Sequence, residues 1–501
     1  MKSENKIPAF PDLRAFVEEL ERRDLLVTVD EPVSLRHEMT ALHHRVLAEN
    51  GPALLFRKPV DANGRTSPIP VLVNLFGTQE RIELGFGLGS GGLRRLGEEL
   101  AELQRPTPPR SFGDAWAKLP LIKAALSMRP KSRRTPSVQE IIYAAKELDL
   151  GQLPVQWCWP NEPAPLITWP LVITRSPDDP SDINVGIYRM QVRDRKSLIV
   201  RWLAHRGGAK HFREWKRKGL DMPITIAIGA DPATLLAAVI PIPEGMSELN
   251  FAGLLRGART EISQAVSVPM PIPSNAEIVL EGVVSSEETD LEGPYGDHTG
   301  YYNAVDHYPV VHLTAITTRR SPLYLSTYTG RPPDEPSRLG EAMTELFIPV
   351  AKQQFPEITD LWLPPEACSY RAAVVAIDKR YPGQARRVMM GLWSMLPQFN
   401  YTKLIIAVDS DINVRSWDDI FWAISTRFDA SRDLMLLEHT PIDQLDFASP
   451  VSGLGTKMGV DATNKLAGET NREWGAALQM PPALSEWATQ TWERIKRDIN
   501  S

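Results

Sequence analysis

The densest set of groups able to move a proton is the run Glu287-Glu288-Thr289-Asp290-Leu291-Glu292-Gly293-Pro294-Tyr295-Gly296-Asp297-His298-Thr299-Gly300-Tyr301-Tyr302. Glu292 and Asp297 stand on either side of a Gly-Pro-Tyr-Gly turn, so their carboxylates can converge on one bound molecule. An arginine between two carboxylates would hold one ionised, while burial would raise the other toward the neutral form that donates a proton. A solvated acidic turn is the other reading of the same residues. A second block, Arg201-Trp202-Leu203-Ala204-His205-Arg206-Gly207-Gly208, pairs two arginines with two glycines. Guanidinium forks and exposed backbone N–H groups both suit phosphate. It follows Ile183 to Val192, read as a strand with Ile187 and Arg189 on one face and Tyr188 on the other. A hairpin with solvated arginines fits that composition equally.

Three further motifs carry less. Gly87-Leu88-Gly89-Ser90-Gly91-Gly92 satisfies G-x-G-x-x-G, but the nearest expected strand ends near Phe76 and a helical stretch intervenes, so a glycine loop is the better reading. His37, His43 and His44 near Glu38 miss the spacing that puts two imidazoles on one metal, and read as an ordinary surface helix. Ser449 to Gly459 lacks the Gly-Lys-Ser/Thr order of a phosphate loop and reads as a close-packing backbone loop.

The elements that must position these residues alternate in character. Leu13, Phe16, Val17 and Leu20 have helical spacing, followed by strands at 25–29, 53–56 and 71–76. The stretch 106–136, rich in Pro and ending in Arg129-Pro130-Lys131-Ser132-Arg133-Arg134, reads as a linker with a short helix and a solvated basic surface. Between about 138 and 318 strands dominate: 166–174, 183–192, 197–202, 224–228, 276–284 and 310–318, with a helix opened by Asp231-Pro232. Beyond Pro336, helices at 339–355, 384–395 and 417–428 alternate with strands at 372–377, 404–409 and 434–437, the pattern of a parallel sheet. The expected fold is therefore mixed α/β: an N-terminal α/β domain over 1–115, a central β-barrel domain with its preceding linker over 116–330, and a C-terminal α/β domain over 331–501. Leu484, Trp487, Trp492 and Ile495 give the last helix an apolar side, better suited to another subunit than to a membrane surface.

Composition removes several classes. The formal net charge of -6 argues against nucleic acid as a partner, since phosphate contacts need concentrated basic surface. Two cysteines cannot form a disulfide framework or a cysteine zinc site. Apolar runs fall far short of the ~20 residues of a membrane span, and the polar first residues lack the apolar core of a secretory signal. A cytoplasmic enzyme is expected.

Asn184 to Arg189, Arg201 to Gly208, Gly229-Ala230-Asp231-Pro232, Ser247-Glu248 with Phe251 to Gly257, Glu292 to Tyr302, Thr327 to Pro336 and Pro450 to Lys465 together resemble the UbiD family of decarboxylases. The similarity runs over nearly the whole chain and is strongest to the branch that serves ubiquinone synthesis. That branch carries out non-oxidative decarboxylation of 3-polyprenyl-4-hydroxybenzoate to 2-polyprenylphenol. The resemblance implies a flavin-reductase-like split β-barrel holding prenylated FMN, made by a separate flavin prenyltransferase, with Mn2+ and often K+. It assigns Asn184, His205 and Glu248 as metal ligands, a mostly hard donor set. Ile187, Tyr188, Arg189, Arg201, Trp202, Leu203, Arg206 and Gly207 are its flavin-contacting positions. Its catalytic set is Arg189, Glu292 and Asp297: Arg189 holds the substrate carboxylate, Glu292 holds Arg189, and neutral Asp297 protonates the ring carbon. Asp stands at 297 where the cinnamate-type branch has Glu. The resemblance further implies a homo-oligomer, dimer or hexamer, and leaves peripheral contact with the inner face of the cell membrane open. Two rival readings stand beside it: a same-family decarboxylase of free protocatechuate or vanillate, and a non-catalytic flavin-binding scaffold of a quinone-synthesis complex.

Overall fold

The computed structural model describes residues 10–104, 126–144, 146–203, 206–240, 246–395, 397–478 and 480–499. Most of the expected Pro-rich linker, together with His205, lies outside them. The first helix, Leu13–Arg22, starts where the Asp12 side chain accepts the Ala15 N–H, and it buries the four apolar residues that its spacing singled out. It packs on a sheet of the strands Leu26–Val29, Ala53–Phe56 and Val71–Val73. The fourth strand of that sheet, Tyr324–Leu325, comes from far along the chain. Leu26 pairs with Ala53 in parallel, and Tyr324 pairs with Val71 in parallel.

The middle of the chain forms a nine-stranded sheet. Its axis is the hairpin of the strands Ile278–Glu292 and Asp306–Thr318, whose tip carries the acidic loop. Register shifts at Glu281/Gly282 and Val284/Thr289 bend the hairpin, and such bulges are how a sheet curls toward closure. The sequence reading took 166–174 and 183–192 as single strands, and both are broken. Leu166–Ile167 and Leu171–Arg175 are separated by Trp169-Pro170, where proline has no N–H for a ladder bond. Ile183–Ile187 pairs with Leu171–Arg175, whereas Met190–Val192 pairs with Ser197–Val200 and Leu166–Ile167. The chain thus passes from one part of the sheet to another at Tyr188-Arg189. The strict face alternation expected there does not hold, and both side chains are freed for the interior.

The C-terminal sheet has five strands in the order Ile358–Trp362, Ala372–Ile377, Leu404–Asp409, Leu454–Ala462, Leu434–Pro441. Its three middle strands are parallel and its two edges antiparallel, so the expected parallel sheet is mixed. The glycine-rich segment read as a loop contributes the interior strand Leu454–Ala462, between Leu404–Asp409 and Leu434–Pro441. Gly455 and Gly459 hide its β-pattern. At Gly459 the strand lies so close to Met389 that a Cβ would fall 2.9 Å from Sδ. The helix Glu335–Gln354 joins the three regions. Asp334 and Ser337 form a capping box, and the buried Glu335 carboxylate accepts from the Phe76 N–H at 2.7 Å and the Thr327 hydroxyl at 2.5 Å. No helix among the described residues is long and apolar enough to cross a membrane.

Candidate active site

The acidic loop is held in shape by its neighbours before any ligand is considered. Gly293 turns out of the strand at φ +91, a left-handed value that favours glycine, and its N–H donates to Gln191 Oε1 at 3.0 Å. Asn303 Oδ1 accepts the Tyr295 N–H at 2.8 Å. Gly296 passes so close to the Trp159 indole that a Cβ would fall 2.2 Å from it. Its N–H donates to Glu162 Oε1 at 3.3 Å, and Glu162 Oε2 accepts the N–H groups of Cys158 and Trp159. Burial pushes the Glu162 carboxyl up to about 7 against those bonds.

Within this frame Arg189 stands between the two carboxylates. Its Nε and Nη2 donate to Glu292 Oε1 and Oε2 at 2.7 and 3.2 Å, and its Nη1 donates to Asp297 Oδ2 at 2.8 Å. The Glu292 side chain is fully buried, and those of Arg189 and Asp297 are 15% and 12% exposed. A guanidinium has five N–H bonds, so three are used here and two remain. Arg201 lies behind, with Nη1 3.7 Å from Glu292 Oε2 and its guanidinium over the Tyr308 ring.

Asp297 is expected to be neutral when it gives up its proton; at rest its surroundings favour the ionised form. Burial does push its carboxyl up. The hydrogen bond from His298 and the charges of Arg189, His298 and Arg201 outweigh it and hold Asp297 well below the usual carboxylate range. The adjacent proton is on His298, whose Nδ1 lies 2.8 Å from Asp297 Oδ1. Burial raises the carboxyls of Glu162 and Glu248 toward neutrality, and those of Asp334 and Glu335 as well.

The second set gathers at the other end of the strand Ile183–Ile187. Tyr188 Oη accepts from the Gly208 N–H and from Asn184 Nδ2, each at 3.3 Å, and its ring meets Trp202 edge-on. Arg206 is the N-cap of the helix Gly207–Arg217, so Gly207 opens it with an amide N–H turned outward, while that of Gly208 is taken by Tyr188. Ile187 and Leu203 are half-buried at the margins of this group. Glu248, first residue of the helix Glu248–Arg256, accepts the Val185 N–H at 2.8 Å, next to Asn184. Asn184 and Glu248 are thereby brought to one strand, while His205 lies outside the described residues. The Glu248 carboxyl has no cationic partner among the described residues, and burial pushes it up to about 7. Two further buried donors, Trp202 Nε1 and Arg201 Nη1, have no hydrogen-bond acceptor.

Other candidates do not join the site. Gly87 to Gly92 connects the helices Gln79–Gly85 and Gly92–Gln104, with no strand before it. Lys131 and Arg133 both pair with Glu261, which neutralises much of the basic cluster. His43, read as a surface residue, is fully buried beside Tyr328 and 3.6 Å from Glu335, and burial lowers it to about 3.

Family models of 3-octaprenyl-4-hydroxybenzoate carboxy-lyase match residues 17–100 with the N-terminal domain, 129–332 with the Rift-related domain and 337–462 with the C-terminal domain. The chain belongs to the UbiD family. It is thus an enzyme of a carboxy-lyase family, and its fold is the UbiD-class fold. Among solved structures it is similar to the vanillic acid decarboxylase of Sedimentibacter hydroxybenzoicus in its closed form. The two share 25% identity over 97% of this chain and 99% of that one, with a TM-score of 0.81. The UbiD-class enzyme HmfF of Pelotomaculum thermopropionicum, in complex with FMN, shares 28% identity over 95% and 98%, with a TM-score of 0.78. An evolved dimeric form of HmfF in complex with prFMN gives 27% over 95% and 98%, and 0.76.

Three residues with an evident place in the site were given no role on sequence grounds. His298 was visible inside the acidic run. Glu162, which accepts the Gly296 N–H, and Asp443, whose Oδ2 lies 3.8 Å from His298 Nε2, had no local signal, because each reaches the loop from a distant part of the chain.

Proposed function

We propose that this protein decarboxylates 3-polyprenyl-4-hydroxybenzoate to 2-polyprenylphenol, without net oxidation, in ubiquinone biosynthesis, using prenylated FMN and Mn2+. The observation that carries the reaction class is Arg189 clamped between Glu292 and Asp297 with two N–H bonds to spare. Those two suit a substrate carboxylate, Glu292 fixes the guanidinium, and Asp297 is the group beside it that can carry a proton to the ring. A scaffold has no use for such an arrangement.

The residues present fit the cofactors. Trp202 Nε1, Arg201 Nη1, the Gly207 amide and the Arg206 guanidinium are donors suited to a phosphate and the polar edge of a flavin. Ile187, Tyr188 and Leu203 would line it. When bound, prenylated FMN supplies the electron sink that loss of CO2 from an aromatic ring requires. Glu248, a buried carboxyl without a cation, and the Asn184 amide oxygen would hold Mn2+ together with His205, and K+ would sit nearby. Gly207 bears on this directly, since a Cβ there would fall 2.0 Å from Asn184 Oδ1. Gly207→Ala is expected to expel Asn184 and to yield folded protein with several-fold less bound manganese and flavin. Metal analysis, flavin absorbance and circular dichroism on one preparation would check it. Wild-type loading in that variant would remove Asn184 from the metal site.

A lipid tail is favoured by the apolar rim beside the loop: Tyr301, Val305 and Phe447 are 68%, 48% and 57% exposed, and the two rings are 6.2 Å apart. Tyr301 is tied to the site through its carbonyl, which accepts the Asp297 N–H. Collecting a polyprenylated acid would bring the protein to the inner face of the cell membrane. The helix Pro482–Ile499 buries none of its residues and exposes Leu484, Trp487, Trp492, Ile495 and Ile499, which supports a homo-oligomer, dimer or hexamer. A second reading, a free vanillate- or protocatechuate-type acid as substrate, is favoured by the similarity to the Sedimentibacter enzyme.

The test is co-expression with a flavin prenyltransferase, mass spectrometry of the bound molecule, and CO2 release from prenylated and free hydroxybenzoates. FMN carrying one added five-carbon unit, with turnover of the prenylated acid, is expected. Turnover of free acids alone would select the second reading. Activity with unmodified FMN would overturn the chemistry.

A further inference from the structure

A carboxylate held ionised between Arg189 and an imidazole does not begin the reaction with the proton it must deliver. The nearest source is His298. Its backbone N–H and its Nδ1 both reach Asp297 Oδ1 at 2.8 Å. On the far side of the ring, Nε2 is buried without a hydrogen-bond partner and lies 3.8 Å from Asp443 Oδ2. Asp443 belongs to the C-terminal region, just after the strand Leu434–Pro441. Its Oδ2 accepts the Tyr370 hydroxyl at 2.8 Å and lies 3.3 Å from Arg371 Nη2. The side chains of His298, Asp297 and Asp443 are 17%, 12% and 8% exposed, so water screens this row of charges little.

We propose that His298 is the proton store of the reaction. It recharges Asp297 through the Nδ1–Oδ1 contact, and Asp443 holds the imidazole in its charged form. This rests on the decarboxylase reading above. The bond between the ring carbon and the carboxylate breaks and CO2 leaves. The electron pair left behind ends in a new C–H bond, made with a proton from Asp297. Asp297 holds that proton only after taking it from His298 Nδ1, and His298 recovers one from solvent. Carboxylate plus one proton gives CO2 and arene, with nothing oxidised or reduced. His298 acts through Asp297 and is a positioning residue rather than one that meets the substrate.

The charged groups around the ring are Asp297 on its own loop with Arg189 and Arg201 behind it, Asp443 with Arg371 and Tyr370 from the C-terminal region, and Asp334 at the cap of the helix Glu335–Gln354. Burial opposes the charge on His298. The hydrogen bond to Asp297 and the negative charges of Asp297 and Asp443 prevail and raise it to about 9. A histidine raised in the folded state adds stability that is whole below its unfolded value of ~6.5 and is lost as pH rises through the folded one.

The experiment is kcat against pH for the cofactor-loaded wild type, His298→Gln and Asp443→Asn. The wild type is expected to lose activity above about pH 9. Asp443→Asn should move that alkaline limb down by about one pH unit, and His298→Gln should abolish the limb and lower kcat about 10²-fold. A limb that stays in place in both variants overturns the proposal. Should His298→Gln fail to fold, the Asp443→Asn limb decides. Thermal midpoints of cofactor-free protein give a reading without turnover: the gap between wild type and His298→Gln should be present at pH 6 and close by pH 10. A constant gap means that His298 carries no such charge. Wild-type protein that releases CO2 from no hydroxybenzoate would instead fail the decarboxylase reading, with the midpoint gap still reporting on His298.

Discussion

Asp297→Asn is expected to slow decarboxylation by roughly 10²–10⁴-fold, the range a positioned acid contributes, with prenylated flavin retained. The asparagine amide is nearly isosteric and can still accept from Arg189 Nη1 through its oxygen, so the loop should keep its shape. What it cannot do is take a proton from His298 Nδ1 and pass it on. The check is single-turnover CO2 release beside the absorbance of the bound cofactor. Loss of the cofactor would make Asp297 a structural residue, and full activity would move the proton to another group.

Arg189→Met is expected to abolish turnover and also to destabilise the protein by about 3–5 kcal/mol, the cost of leaving a buried carboxylate without its partner. Glu292 is the residue stranded, because its side chain is fully buried and both of its oxygens bond this guanidinium. Without the arginine, burial should raise the Glu292 carboxyl. The penalty should therefore be smallest below pH ~4, where it is protonated in both states, and grow as pH rises. Denaturant unfolding at pH 5 and pH 8 checks the trend, and Arg189→Met with Glu292→Gln should recover part of the loss. A penalty independent of pH would mean that packing, not charge, is what Arg189 supplies.

The parts of this enzyme that could be read from its residues are those written in local periods. Leu13, Phe16, Val17 and Leu20 announce their helix because 3.6-residue spacing is a local property. Ala372–Ile377 and Leu404–Asp409 are apolar runs bounded by turns, and both are strands. Leu454–Ala462 was missed because glycines permit close packing while removing the β-branched signal. The break at Tyr188-Arg189 was missed because nothing in a ten-residue window says which neighbours a strand will pair with. Glu292 and Asp297 stood out from the turn between them, but Arg189 was joined to them only through family resemblance, since 103 and 108 positions separate it from the two. Asp297 was expected to be neutral at the moment it protonates the ring carbon. Its ionisation depends on Arg189 and His298, contacts that only the folded chain supplies.

The small N-terminal sheet has a consequence for how the protein is made. Its fourth strand, Tyr324–Leu325, pairs with Val71 and Leu72, so the sheet is incomplete until the ribosome has passed residue 325. At about 5–20 residues per second, the strand Val71–Val73 waits roughly 10–50 s for that neighbour. All three of its residues are buried in the finished fold. During that interval the nascent chain carries an unpaired apolar edge, the kind of surface that chaperones hold. Synthesis of the barrel, which lies between the two strands in the sequence, takes up the wait. The segment that finally closes the edge leads directly into Thr327 and Glu335, so completion of the N-terminal sheet and seating of the helix Glu335–Gln354 belong to the same stage of assembly.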